Sequence, residues 1–286
     1  MNREKKKRAK QVGWLGRVLA KLPSSWPLLY PLYLTAQLDT VKENYVSPLL
    51  PAAFDGFTIG YVSDIHFGQL LKEDRVRALV KQVNAWQADI LILGGDYGEN
   101  AEGSLRFWQL RPGFRAKERV VATVGNHDRT EPDSLLPAMT DAMRADGVTP
   151  LINDALLIRR QGTALALASA DDYFNGNPDL LTTAAPCRGA DFTIFFPHNP
   201  DILPETYEMP GGPFYQLALC GHTHGGQVAV LGHAIKSSSI YGNRYRSGWY
   251  REHGVDILVS NGVGTSGLPV RLGARAQIHL ITLKRA

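Results

Sequence analysis

The sequence predicts an α/β protein in which two stacked sheets carry helices on their outer faces. Three observations predict it. From Phe57 onward, short β-rich runs alternate with stretches of helical periodicity, the order expected of βαβ units. One run, "ADILILGGD", is apolar without alternation, as in a strand buried on both faces. The second half is rich in strands, and two sheets would house them in one domain.

Along the chain, "FTIGYVS" is a β-rich run, and "EDRVRALVKQVNAWQ" places Val76, Leu79, Val80 and Val83 on one helical face. After "ADILILGGD" come a short helix, the strand "RVVATVGNHD" and the helical "PDSLLPAMTDAMRADG". The later strands are "ALLIRR", "TALALAS", "DFTIFFPHNP", "YQLALCGHTH", "GQVAVLG", "VDILVSNG" and "AQIHLITL". No internal repeat or low-complexity linker interrupts them. The boundary falls near Pro48 to Gly56, giving a leading segment over residues 1–50 and a folded domain over 51–286.

Composition excludes several classes. A 286-residue chain with 44% hydrophobic residues can bury a core without staples, and its two cysteines make no disulfide framework. Residues 1–21 hold eight basic side chains against Glu4 alone, a local charge of +7 that leaves −3 on the remainder of a chain totalling +4. Basicity belongs to the tail and not to the body, which argues against specific nucleic-acid binding.

The tail itself, "QVGWLGRVLAKLPSSWPLLYPLYL", sets Trp14, Leu15, Val18, Leu19 and Leu22 on one stripe until Pro23 ends the helix. Pro27 and Pro31 interrupt the second apolar stretch, so no run reaches the roughly 17–25 apolar residues of a membrane span. Arg17 and Lys21 break any signal-peptide core, and no twin arginine lies near the start. Residues 1–30 therefore suit lying on an anionic membrane surface, or serve as a charged tail with a helix packed on its own domain.

The chemistry sits where the strands end. The first strand runs into Asp64 and His66, the second into Asp96, and the third into Asn126, His127 and Asp128. A later strand runs into His198 and Asn199, and "GHTHGG" supplies His222 and His224. Read alone, that last stretch fits either a metal site or a polar turn. Ligands in open α/β sheets bind beyond the carboxyl ends of strands, so five tips can converge on one site. Five of the eight histidines lie in these clusters; His233, His253 and His279 read as ordinary surface or core residues. Asp, Asn and His together suit divalent transition metals, and no thiolate joins them.

The ordered series Asp-x-His, Gly-Asp, Gly-Asn-His-Asp, His and Gly-His-x-His, over roughly residues 57–284, resembles the calcineurin-like metallophosphoesterase superfamily. "YVSDIHFG", "HNPD", "GHTHGGQ" and "GTSGLPVRLGA" resemble its YkuE/YaeI phosphodiesterase branch. The resemblance implies a four-layer αββα sandwich and two divalent metal ions, Mn, Fe or Zn. It implies that Asp64, His66 and His224 hold one ion, that Asn126, His198 and His222 hold the other, and that Asp96 bridges them. It implies a catalytic His127 whose ring Asp128 orients. "GGDYGEN" lacks the Asp-Arg-Gly of protein Ser/Thr phosphatases, which argues against a phosphoprotein substrate.

The function expected is a dinuclear phosphohydrolase cleaving a phosphodiester or pyrophosphate bond. Its substrate would be lipid-linked or nucleotide-linked, met by a cytoplasmic protein peripheral on the inner membrane face. A soluble nucleotide phosphodiesterase and a non-catalytic metal-binding scaffold are the alternative readings. "NGVGTSGLPVR" with Arg271 reads as a tight interstrand loop rather than an anion cradle. Asn100 and Asn199 read as turn residues or as substrate contacts.

Overall fold

The computed structural model describes residues 18, 37–68 and 70–286. The amphipathic stripe through Trp14, Leu15, Leu19 and Leu22 lies outside the described residues. Among those described, no helix is long and apolar enough to cross a membrane.

The chain begins with strand β1 (Leu38–Ser47), then β2 (Thr58–Val62), helix α1 (Glu73–Asn84), β3 (Ile90–Leu93), α2 (Ala101–Gln109), β4 (Arg119–Ala122), α3 (Leu135–Ala145) and β5 (Val148–Pro150). Next come β6 (Asp154–Arg160), β7 (Thr163–Ser169), α4 (Leu180–Ala184), β8 (Phe192–Phe195), α5 (Leu203–Tyr207) and β9 (Leu217–Cys220). A small hairpin of β10 (Ala229–Val230) and β11 (His233–Ala234) precedes β12 (Gly248–Glu252), β13 (Val255–Val259) and β14 (Ala276–Arg285). The stretch "GQVAVLG" thus contributes to this two-stranded hairpin and to neither large sheet.

One six-stranded sheet has the order β1-β14-β2-β3-β4-β5, the other β12-β13-β9-β8-β7-β6. β2, β3, β4 and β5 run parallel, as do β13, β9, β8 and β7. Alternation within β3 explains its unbroken apolarity. Ile90 and Ile92 join a core built from both sheets, with Leu167, Phe192, Ile194 and Leu219 opposite, while Leu91 and Leu93 face the helix side with Leu79, Val83, Phe107 and Met143. A third cluster backs the second sheet, where Ala166, Ala168, Phe195 and Ile257 meet Leu203, Tyr215 and Tyr245. Helix, sheet, sheet and helix form the four layers.

The helices start where their sequences favour it. Glu73 and Asp74 occupy the first turn of α1 and Lys81 its last, matching the helix dipole. Asn100 caps α2, its side-chain oxygen accepting from the Gly103 amide at 2.8 Å. Residues 38–47 lie before the boundary expected near Pro48, yet they form a full edge strand, parallel to β14 from Leu38↔Ala276 to Ser47↔Arg285. They also tie the sheets together: the Tyr45 hydroxyl donates to Asp256 at 3.0 Å and the Trp249 indole donates to Glu43 at 2.7 Å. Half-exposed alternation in "LDTVKENYVS" disguised this strand, because its partner is some 240 residues away in the chain.

Candidate metal centre

The residues that follow β2, β3, β4, β8 and β9 lie together, and the chain turns abruptly after β2, β3 and β9. Asp64 (φ 55°), His66 (φ 50°), Asp96 (φ 57°), His222 (φ 69°) and His224 (φ 52°) all adopt the left-handed region. Non-glycine residues rarely sit there, and strain of this kind clusters at functional sites. Backbone bonds hold the turns: Asp64 N–H donates to the Gly95 carbonyl at 2.9 Å, His66 N–H to that of Asp96 at 3.0 Å, and Gly221 N–H to that of His198 at 2.9 Å.

The glycines in these motifs answer to close approach. A Cβ on Gly125 would lie 2.2 Å from Asp96 Oδ1, and one on Gly221 would lie 2.4 Å from Asp64 Oδ2. Only hydrogen fits there.

Candidate ligand atoms converge across the strand tips. His66 Nε2 and His224 Nε2 are 3.0 Å apart, and His224 Nε2 is 3.6 Å from Asp64 Oδ1. Asp96 Oδ2 lies 3.6 Å from His66 Nε2 and 3.3 Å from His198 Nε2. His222 Nδ1 faces Asn126 Oδ1 at 2.7 Å. The ligand atoms of Asp64, His66 and His224 all lie within 4.8 Å of one another, as do those of Asp64, Asp96 and His198. Asp64, His66, Asp96, His198 and His224 thus lie together, with Asp96 between His66 and His198, while His222 joins through its amide to Asp64 Oδ1 at 3.0 Å and through its ring to Asn126.

The donor set fits metal binding. His198 Nδ1 contacts the Gly94 carbonyl at 2.7 Å, which places the ring proton on Nδ1, and its Nε2 is buried without a hydrogen-bond partner. Burial, reinforced by His127, lowers His66 to about 3, and burial with His198 lowers His222 to about 3. His66 and His222 are thereby kept neutral, with lone pairs to offer a cation. At His198 burial is overcome by the carboxylates of Asp96 and Asp64, which raise the imidazole well above its ordinary value and hold on it a proton that a bound cation would replace. Burial works against ionisation of Asp96, but the charges of His198 and His127 outweigh it and hold that carboxyl well below the ordinary range. Burial raises Asp64 to about 6, a cost that a cation beside it would offset.

His127 stands in the same cluster, its ring edge-on to His66 with centroids 4.7 Å apart. Here the structure departs from expectation. His127 Nδ1 meets the Glu99 main-chain carbonyl at 2.8 Å, and that carbonyl orients the ring. Asp128 does something else. Its carboxylate accepts from the amides of Asp96 (2.7 Å), Gly125 (2.8 Å) and Tyr97 (3.0 Å) and from the Ser104 hydroxyl (2.6 Å). It staples two ligand-bearing loops together, because four donors there have no other acceptor.

Sequence reasoning missed the end of β7. Asp172 is buried, its Oδ2 accepting from the Phe174 and Asn175 amides while Oδ1 lacks a partner. Burial raises it to about 6 despite the charge of His198 nearby. Asn175 donates to the Asn126 carbonyl at 2.6 Å. Buried Arg129 pairs with Asp171 at 3.1 Å. The signal was present, since "TALALAS" also runs straight into acids. Arg271 is fully buried, donating to the carbonyls of Asn261 (2.8 Å), Gly262 (3.2 Å), Gly264 (3.1 Å) and Ala274 (3.1 Å), so it braces the interstrand loop. Asn199 caps the turn at 200–202 with its side-chain oxygen.

The chain is similar to known proteins over most of its length. The family model described as "Calcineurin-like phosphoesterase" matches residues 57–260. The "Uncharacterized metallophosphoesterase YkuE" of Bacillus subtilis is 29% identical over 89% of this chain and 89% of its own length. The "Phosphodiesterase YaeI" of Escherichia coli is 25% identical over 79% of this chain and 82% of its own. A "Transmembrane protein with metallophosphoesterase domain" of Danio rerio is 27% identical over 94% of this chain, which spans 63% of that protein.

Proposed function

The chain belongs to the calcineurin-like phosphoesterase family and is a phosphoric ester hydrolase, and from that premise we propose a dinuclear enzyme that cleaves a phosphodiester or pyrophosphate bond. One observation carries the reading: carboxylates and imidazoles from five strand tips meet in one buried cluster, where His198 Nε2 makes no hydrogen bond and lies 3.3 Å from Asp96 Oδ2. Asp64, His66 and His224 would hold one divalent ion, Asn126, His198 and His222 the second, and Asp96 both. Bound ions of this kind polarise a phosphoryl group and make water nucleophilic near neutral pH.

The protein's own groups do the rest. The Glu99 carbonyl accepts from His127 Nδ1, so Nε2 is the ring nitrogen left to face the reacting phosphoryl group. Through Nε2, His127 would protonate the leaving oxygen or stabilise the developing charge. Asp128 is a positioning residue, fixing Asp96 and Gly125 relative to one another. Asp172 and Asn175 brace Asn126 from behind.

A lipid-linked or nucleotide-linked substrate fits best. The basic, aromatic-rich segment before residue 30 favours a substrate presented at an anionic membrane surface. The test is a screen of the Mn-loaded protein against aryl mono- and diesters, nucleotide-sugar pyrophosphates and lipid extracts. Two bound ions with no hydrolysis of any of these would leave the scaffold reading. Hydrolysis of soluble nucleotides alone would favour the soluble phosphodiesterase.

A further inference from the structure

We propose that the β10–β11 hairpin is an interfacial finger that seats the rim of the metal centre on an anionic lipid bilayer. Its purpose rests on the lipid-linked reading above, but its geometry stands apart from it. Six of the twelve large apolar side chains exposed among the described residues lie in the hairpin or in segments joined to it. Val230 and Leu231 are within it, Ile235, Ile240 and Tyr241 are in the stretch that follows, and Leu268 is beside Gln227 at its root. Leu231 is 95% exposed and Ile235 73%. The two strands pair only with each other, so no sheet covers the tip.

The turn is unusual in its residue. Leu231 (φ 51°) and Gly232 (φ 81°) both take positive φ, as in the type I′ turns that favour Asn-Gly or Asp-Gly. Leucine at the first position incurs strain and recovers no burial among the described residues. Both costs are recovered if the side chain enters an apolar phase.

The finger adjoins the site. It leaves directly from the His224–Gly226 turn, where a Cβ on Gly226 would lie 2.3 Å from that of Ala234. Gln227 binds the Leu268 carbonyl at 3.0 Å and the Ser266 amide at 2.8 Å. At its far end, the Ile240 amide donates to Asp201 at 2.8 Å, three residues beyond His198. The apolar rim therefore bridges two histidine-bearing loops.

Charge selects the occupant. From Met209 to Arg251 the sequence contains no acidic residue; Lys236 follows the finger's second strand and Arg246 donates to the Gly225 carbonyl at its root, while Arg244 is paired with Glu252. Lys236 is exposed beside Ile235 and has no ion pair among the described residues. The chain beyond residue 21 sums to −3, so an anionic surface repels the body as a whole and attracts this face. Aliphatic tips flanked by cations suit the headgroup–acyl boundary of an anionic bilayer.

The native cysteines are both buried, so a Leu231→Cys variant of the full chain accepts an environment-sensitive fluorophore at the tip alone. With phosphatidylglycerol-containing vesicles its emission should shift to the blue and rise several-fold, and doxyl-labelled lipids should quench it. The same label at Leu181→Cys, another exposed leucine (64%), should remain water-like. A tip label that stays water-like while the protein floats with the vesicles would overturn the proposal, because the tail alone would then be binding. A concentration-dependent shift without lipid would overturn it in favour of a second copy of the chain. Leu231→Asn with Ile235→Ser keeps a favourable turn and should lower vesicle partitioning roughly tenfold or more, with turnover of a soluble aryl diester unchanged. Unaltered partitioning overturns the finger. Failure of the hydrolase reading appears separately, as absent turnover in the unmodified protein.

Discussion

Replacing Gly125 by alanine tests whether the strand-tip packing sets the metal centre. Gly125 does not require positive φ, so alanine brings no backbone penalty of its own. Its Cβ would stand 2.2 Å from Asp96 Oδ1 and 2.8 Å from the His198 ring. Reaching even 3.0 Å from the carboxylate demands a shift of about 0.8 Å, whereas metal–ligand distances tolerate about 0.2 Å. The shift also threatens the 2.8 Å bond from the His127 amide to Asp96 Oδ1. Overpacking of this kind costs about 1–3 kcal/mol of stability, and misplacing a ligand's supports costs roughly 10–100-fold in metal affinity. Gly147→Ala is the control. That position has φ 82° with nothing within 4 Å of a Cβ, so alanine costs about 1–2 kcal/mol in backbone strain alone. Urea unfolding should therefore find comparable losses in the two variants. Calorimetric titration of the metal-stripped proteins with Mn should separate them, with Gly147→Ala binding like the parent and Gly125→Ala weakened by at least tenfold. Equal metal affinity in both would refute the claim that Asp96 and His198 are held by packing against Gly125.

Asp96→Asn should leave fewer than two ions bound per chain by metal analysis, since one carboxylate lies between histidines of both halves; full occupancy of both sites would end the bridging assignment. His127→Ala should retain metal and lose about 10²–10⁴-fold in kcat on diesters with poor leaving groups. The loss should be smaller with an activated aryl group, and an identical loss on both would exclude proton donation. Burial raises the Cys187 thiol from 9.0 to about 11 and lifts Cys220 well above its ordinary value. Raising a thiol pKa depletes the reactive thiolate at every pH below it, for Cys187 about a hundredfold at pH 8. Neither cysteine should react with a disulfide reagent in the folded protein at pH 8, and both should react in denaturant. Rapid native labelling would contradict their burial.

The strand-tip chemistry was legible because local sequence alone decides it. Apolar runs such as "ADILIL" have to be buried strands, and Asp or His at their ends serves solubility poorly, so those residues were marked for chemistry before any contact was known. The parallel layers followed from the same alternation of strand and helix. What required the tertiary structure was every relation between residues distant in the chain. The register of β1 against β14 pairs the first described strand with the last, and no local periodicity reports such a pairing. Asp128 adjoins His127 in sequence, yet its carboxylate turns toward the Asp96 loop, where unpaired amides outcompete an imidazole that already has the Glu99 carbonyl. Arg271 became a loop brace rather than an anion ligand because burial surrounds it with main-chain carbonyls and with His224 Nδ1 at 3.3 Å. The exposure of Leu231 is likewise a fact of the fold, since an apolar residue between two short strands reads as core until the layers leave it outside. Propensity and pattern act over a few residues and specify elements and reactive ends. Hydrogen-bond satisfaction and packing act across the whole molecule, and they alone decide which reactive end meets which.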